Sequence, residues 1–586
     1  MAKRKESKPV AWHVADFETN VSRETCKANP VWAWGFSPIE AETFDDVEVG
    51  TSIESFMERI GSTRKHIGIY FHNLKFDASF ILNWLLKNGY TCVDKTERGS
   101  RGAKVFTCLR ANGSLYAVKI AFKYSFVTLW DSAKKIPLRV EQLPKAFGLD
   151  DICKGDIDYE LYRPPHHKLT ANEESYLKRD VLIVAQALSK LHSLGVSSEK
   201  MTIGSDAYED WRTRAIDEFG ESFVSEAFES LDAEEWFFAA EAYNGGIATP
   251  NPKIAGKMLH EHGRVYDVNS MYPGVMLYKP MPVGKGTPFE GAPQGNGLWI
   301  ASFDAFFFLK AGAIPVYRPR HYWHHWPQGV MMRNSTDGEE CPIRVTMTSI
   351  DFWNYSQHYD ILVTDWVGGY YYPSMSGLFD SYIKYWGDVK VRAGKEGNKG
   401  LKQVAKYKLN NLYGKFGQKT PLVRYVPELD DDGALKWCGV VDEGVSTAAG
   451  DKYMPIACFI TAYAREILCK AIRAAGSRFC YADTDSVHVV GDYEVDGLDV
   501  DPYRLGAWDW ESSWDKAVFQ RPKAYAEHAE SGWDVKLAGC PKKAIAGIDV
   551  ETEFKFGAVY HPKLVPKQVP GGCILVDIGY EFKERV

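Results

Sequence analysis

Two sets of acidic residues stand at spacings suited to phosphoryl-transfer chemistry. The first opens with Asp16 and Glu18, in VADFET. In a strand, residues i and i+2 share a face, so these carboxylates point the same way while Phe17 packs behind. Like charges held together repel unless a cation lies between them, and Mg²⁺ takes carboxylate oxygens in this manner. Asp77, in HNLKFD, precedes an apolar helical run and suits its N-cap or first turn. Tyr176 and Asp180, four residues apart, share a helix face. Four acids and a phenol make a two-metal hydrolytic centre, in which the acids hold ions and the phenol positions the attacking water. Each fragment alone is more often a solvated edge or cap. The order D-x-E, N-x-x-x-D, Y-x-x-x-D carries the reading.

The second set is Asp267, in YDVNSMYP, with Asp483 and Asp485, in YADTDS. Asp267 stands where a strand gives way to a helix with Pro273 near its start. Asp483 and Asp485 stand at the tip of a hairpin between FCYA and VHVV. Three acids there suit two Mg²⁺ ions, one serving a primer 3′-OH and one a nucleoside triphosphate. Lys402, Lys406, Asn410 and Tyr413 step by four, four and three and form one helical stripe. Leu401, Val404, Ala405, Leu409 and Leu412 form the opposite, apolar stripe. Ammonium groups one turn apart match charge on successive phosphates.

These residues need several elements to place them. The chain has 586 residues, 45% hydrophobic and 25% charged, an ordinary globular composition that implies several domains. The first 200 or so residues are mixed α/β, with helices over 78–87 and 171–194. A Gly/Pro-dense middle, about 280–340, predicts short strands and loops. A basic helix follows at about 398–413, then an irregular patch at 418–450 and a strand–turn–strand at 479–490. The net charge of -7 argues against a polyanion partner when taken alone. From Lys384 to Arg424, however, eleven Lys/Arg face only Asp388 and Glu396, a local excess that matters to a polyanion. Eleven scattered cysteines without a C-x-x-C pair predict free thiols in a reducing cytoplasm. The basic start lacks an apolar signal core, and no apolar run is long enough to span a membrane. His321, His324 and His325, in HYWHHW, fit no standard metal spacing and belong to an aromatic-rich loop.

The order WHVADFET, FHNLKFDASFILNWL, WDSAKKIP, KGDIDY, YLKRD, AYNGG, YDVNSMYP, KLNNLYGKF, FITAYAR, YADTDS, KAY and QVPGG runs almost the length of the chain. It resembles the protein-primed family-B DNA polymerases of small tailed phages, the Bacillus-phage phi-twenty-nine type. The resemblance implies a multidomain α/β fold: an RNase H-like exonuclease domain and a right-hand polymerase (palm, fingers, thumb) with two palm insertions. The implied boundaries are 1–200 exonuclease, 201–278 and 450–541 palm, 279–377 and 418–449 insertions, 378–417 fingers and 542–586 thumb. The first insertion would dock a terminal protein, and the second would help encircle DNA for processivity and strand displacement.

By resemblance, Asp16, Glu18, Asp77 and Asp180 are exonuclease metal ligands, with Tyr176 and Lys154 assisting and Asp156 close to a metal. Thr19, His72, Asn73, Phe76 and Ser132 hold the frayed primer end. Asp267, Asp485 and the Val268 carbonyl hold polymerase metals, with Asp483 nearby. Tyr272 stacks under the deoxyribose and excludes a 2′-OH. Lys402, Lys406 and Lys390 face the triphosphate, and Tyr413 lies against the sugar or base, with Asn410 in the same stripe. Arg392 and Lys395 compete with Lys390, because VRAGKEGNKGL carries extra residues there. Tyr243, Gly245 and Gly246 contact template between the two centres. Thr461, Arg465, Lys523 and Tyr525 bind primer and template. Ala133, Leu138, Asn244 and Asn411 depart from the residues usual at these positions. The implied cofactors are two Mg²⁺ per centre, with Mn²⁺ an alternative. The implied partners are primer-template and single-stranded DNA, dNTPs and a terminal protein, for a monomer in the host cytoplasm. Two other readings stand beside this one: a family-B polymerase that uses no protein primer, and a DNA-binding protein whose catalytic centres have decayed.

Overall fold

The computed structural model describes residues 8–20, 31–96, 98–111, 113–149, 157–158, 161–164, 166–318, 330–331, 333–334, 340–418, 423–441 and 452–584. Lys154 and Asp156, the histidines of HYWHHW and residues 442–449 of the expected second insertion lie outside them.

The first centre is built on an eight-stranded mixed sheet. Its middle consists of Ala11–Thr19, Ile67–Phe71 and Phe126–Asp131, paired in parallel. Every residue of Ile67–Phe71 is buried, as a parallel strand covered on both faces requires. Helix Leu74–Lys87 leaves the carboxyl end of that strand. Helix Ala171–Ser193 packs against strands Ala11–Thr19 and Val31–Pro38. Its start is set by a capping box in which Thr170 and Glu173 satisfy each other's backbone N–H groups.

The second centre is built on a five-stranded sheet in the order Trp508–Trp514, Gly263–Val268, Ser486–Val490, Phe479–Asp483, Ala248–Pro250. Helix Met454–Ala475 backs it and is buried nearly all round through its first three turns, the mark of a central helix. Helices Asp380–Lys395 and Lys399–Asn411 pack on each other and on helix Ile203–Phe219.

The Gly/Pro-dense middle is more regular than its composition suggests. Leu298–Leu309 and Tyr359–Tyr372 pair along their lengths in an antiparallel ribbon. Its aromatic and branched side chains prevail because the flanking strands give them a surface to pack on. The patch at 418–450 contains a hairpin of Val423–Leu429 and Leu435–Val441. That hairpin and a second one, Leu564–Val569 with Gly572–Asp577, both close on helix Leu74–Lys87. Asn83 donates to the Gly433 carbonyl (3.0 Å) and Gln568 donates to the Ser79 hydroxyl (3.1 Å). Among the described residues no helix is long and apolar enough to cross a membrane.

Candidate active sites

In the first centre, carboxylate oxygens of Asp16, Glu18 and Asp180 lie within 4.8 Å of one another. Strand alternation supplies the first two and a buried turn of helix Ala171–Ser193 supplies the third. Asp77 sits in the first turn of its helix and is buried. Burial, and then the charge of Asp16, push its carboxyl well above the usual carboxylate range. This is the repulsion that a divalent cation relieves. Tyr176 is buried on the same helix as Asp180, one turn earlier. The backbone between the strand and helix of Asp77 is strained: Asn73 takes φ 75°. Its N–H donates to Asp131 Oδ1 (3.0 Å). His72 bridges the Leu138 carbonyl through Nε2 (2.7 Å) and the Ser132 hydroxyl through Nδ1 (3.0 Å). Thr19 ends the strand of Asp16, and Phe76 packs edge-on to Phe80.

In the second centre, Asp267 is the penultimate residue of a strand and pairs with Ser486 on one side and Asp509 on the other. Its carboxyl is pushed up to about 7 by burial and then by the charges of Asp485, Glu511 and Asp509, against the opposing pull of Lys406. Burial raises Asp485 as well. The Val268 N–H donates to the Asp485 carbonyl (2.8 Å) and so ties the strand end to the hairpin tip. Ser270, Thr484 and Lys523, all beside these acids, take φ of 53°, 60° and 57°. With Asn73 they make four of the seven non-glycine residues with positive φ among those described. Such strain concentrates where geometry serves function.

Lys402, Lys406 and Asn410 form an exposed stripe, and Val404, Ala405, Leu409 and Leu412 are buried opposite. Tyr413 follows the helix, and its ring stacks on Tyr272 at 3.9 Å. Lys390 reaches from the neighbouring helix to Asn269 Oδ1 (3.2 Å) and Ser270 Oγ (3.0 Å). Burial, and then the Lys406 and Lys402 charges, depress its pKa. Arg392 and Lys395 are exposed. Lys523 Nζ reaches Asp483 Oδ1 (2.6 Å), and its N–H donates to Tyr481 Oη (2.7 Å), whose ring packs on Tyr525.

Thr461 and Arg465, expected at primer and template, are each 2% exposed and engaged within the protein. The Thr461 hydroxyl donates to the Ala457 and Cys458 carbonyls of its own helix. Arg465 is spent on Asp351 (2.8 and 2.7 Å) and on the carbonyls of Asn244 (2.5 Å) and Gly245 (2.8 Å). Its planar fork matches a carboxylate bidentately, and buried charges persist only when paired. Arg465 therefore shapes the Tyr243–Gly246 segment from behind. The next residue, Ile247, accepts the Thr484 N–H (2.7 Å). A Cβ on Gly246 would stand 2.9 Å from the Thr484 side chain, and Tyr243 lies over Gly417.

Sequence reasoning missed Asp131, Asp509 and Glu511. Asp131 accepts the N–H groups of Asn73 and Ala133 (3.0 Å each) and adds to the charge around Asp77. The acid ending FVTLWD and the alternating acids in WDWE were the available signals.

A family model described as DNA polymerase type B, organellar and viral, matches residues 62–175 and 161–489. The chain is 32% identical to the DNA polymerase of Bacillus phage phi29 over 98% of its own length and 99% of that protein's. It is 28% identical to the DNA polymerase of Streptococcus phage Cp-1, over 98% and 99%. Solved structures of phi29 DNA polymerase with single-stranded DNA (TM-score 0.86) and with primer-template DNA and incoming nucleotide substrates (TM-score 0.85) are similar. Each is 30% identical and covers 98% of this chain and 100% of that one. With one acidic pair beside a helical lysine stripe and a second acidic cluster around a separate sheet, the chain belongs to the type B DNA polymerases of organellar and viral origin and is a DNA-directed DNA polymerase.

Proposed function

We propose that this polymerase is protein-primed: it adds dNTPs to a primer 3′-OH or to a hydroxyl of a terminal protein, and it degrades mispaired ends 3′→5′ at the first centre. The separation of two carboxylate groups, each built around its own sheet, carries the two-activity reading. In each, burial and then the charge of a neighbouring acid raise a carboxyl, Asp77 in one and Asp267 in the other. Asp16, Glu18, Asp77 and Asp180 would hold Mg²⁺ or Mn²⁺ at the first centre, and Asp267, Asp485 and the Val268 carbonyl would hold it at the second. Bound there, the ions supply Lewis acidity and neutralise phosphate charge.

The chain's own residues do the rest. Lys390, Lys402 and Lys406 receive the triphosphate. Tyr272 lies under the deoxyribose and meets a 2′-OH, while Tyr413 is held against it by stacking. Lys523 keeps Asp483 oriented while its neighbour Tyr525 supports the primer. At the first centre, His72, Asn73, Phe76, Ser132 and Thr19 receive the primer end, and Tyr176 orients a water. The Tyr243–Gly246 segment guides template between the two. Protein priming is supported by the additional sheet within residues 279–377. Its ribbon sets Phe306 opposite Leu362 and leaves Leu362 and Phe308 exposed, an apolar face for a partner protein.

Labelled-primer extension and single-strand degradation test both activities. Asp267→Ala or Asp485→Ala abolishes extension and spares degradation, and Asp16→Ala with Asp77→Ala does the reverse. Loss of both activities from either change, in a folded protein, defeats the two-centre reading. With a terminal protein and origin template, normal primer extension without any protein–dNMP adduct excludes protein priming.

A further inference from the structure

Helix Lys399–Asn411 carries a second ammonium group that points away from the Lys402–Lys406 stripe. Lys408 lies about 200° around the helix from Lys406 and is 1% exposed. Its Nζ pairs with Asp206 and with Asp210 (3.2 Å), both on helix Ile203–Phe219. The Trp386 ring, from helix Asp380–Lys395, lies 5.2 Å from that ammonium, and its indole N–H donates to Asp210 Oδ2 (2.8 Å). Tyr382 donates to the carbonyl of Lys408 itself (2.8 Å). The remaining oxygens are engaged too. Asp206 Oδ1 accepts the Ser197 N–H (2.8 Å), and Asp210 Oδ1 accepts Arg214 Nε (2.9 Å).

Three helices thus meet on one buried ammonium that no chemical step uses. An apolar side chain would pack there without the cost of desolvating an ion. What the ion pair adds is direction. An apolar stripe tolerates rotation and sliding of a helix, whereas two carboxylates fixed on a neighbouring helix accept Lys408 at one angle only.

We infer that Lys408 is a positioning residue for the incoming nucleotide: clamped by Asp206 and Asp210, it sets the rotation of its helix and hence where Lys402 and Lys406 meet the triphosphate. The inference rests on the assignment of those two lysines to the triphosphate.

Single-nucleotide insertion on a primer-template tests it. Lys408→Met, which keeps length and removes charge, raises the dNTP KM about fivefold or more, the low end of a site-to-site coupling. It leaves kcat and single-strand degradation within about twofold, the signature of lost nucleotide binding without lost chemistry. Asp210→Asn, at the less buried arm, moves KM the same way by less, and it decides the matter if Lys408→Met does not fold. Unchanged KM in the folded variants, or parallel falls in kcat and degradation, overturns the positioning role. Lys402→Ala and Lys406→Ala belong in the same assay. If KM rises in them but not in Lys408→Met, only the positioning role falls. If it is unchanged in them, the triphosphate assignment itself falls.

Discussion

Arg465 and Asp351 form a two-pronged ion pair inside the protein, 114 residues apart in sequence. The same guanidinium fixes the Asn244 and Gly245 carbonyls. Arg465→Met strands a buried carboxylate and costs about 3–5 kcal/mol of stability. Arg465→Met with Asp351→Leu costs clearly less, because no charge is left unpaired. Thermal or urea unfolding of the three proteins measures the difference. Equal losses in the single and double variants would show that the pair is not what holds the segment.

Gly246 has no room for a methyl group beside Thr484. Gly246→Ala pushes on the turn that carries Asp483 and Asp485, so primer extension falls by about 10-fold or more while single-strand degradation is nearly unchanged. Thr484→Ala in the same chain restores part of the loss. A matched fall in both activities contradicts this.

Tyr272 stacks on Tyr413 at 3.9 Å, and on the proposed reading the pair forms a wall beside the sugar. Tyr272→Val opens that wall and lowers discrimination against ribonucleotides by about 100-fold, whereas Tyr272→Phe keeps it. Competition between dNTP and rNTP in single-turnover insertion provides the measurement.

Glu173 titrates in a direction that can be checked. Burial alone would raise its carboxyl, but Arg163, the Thr170 N–H and His167 hold it down to about 2. A carboxyl depressed on folding adds stability above its unfolded value, near 4.3, and loses it as pH falls towards 2. Glu173→Gln therefore lowers Tm at neutral pH, and the gap from the parent protein narrows as pH drops below about 4.5. A gap that widens under acid refutes the assignment.

The acids of both centres were legible because strand and helix periodicity places them without help from the rest of the chain. Asp16 with Glu18, and Tyr176 with Asp180, each need only one element. The lysine stripe was legible for the same reason. Lys390 was not separable from Arg392 and Lys395, since the choice depends on how one helix is phased against Asn269 and Ser270 of another element. The pairing of Arg465 was not legible, because its carboxylate partner Asp351 is 114 residues away in sequence. Asp509 became visible only through its strand register opposite Asp267. Lys408 looked like one more member of a basic run, and only the packing of three helices shows that it faces inward.

Two hairpins close on helix Leu74–Lys87, one of them joined through residues 489 positions apart. The helix that carries Asp77 therefore emerges from the ribosome early and receives its last neighbours only when residues 564–577 have been made. Until then Phe80, whose ring lies where a side chain on Gly572 would be, has a face uncovered. Contacts of such span slow folding and leave apolar surface exposed meanwhile. The order of synthesis thus keeps the helix of Asp77 unfinished until residues 564–577 have arrived.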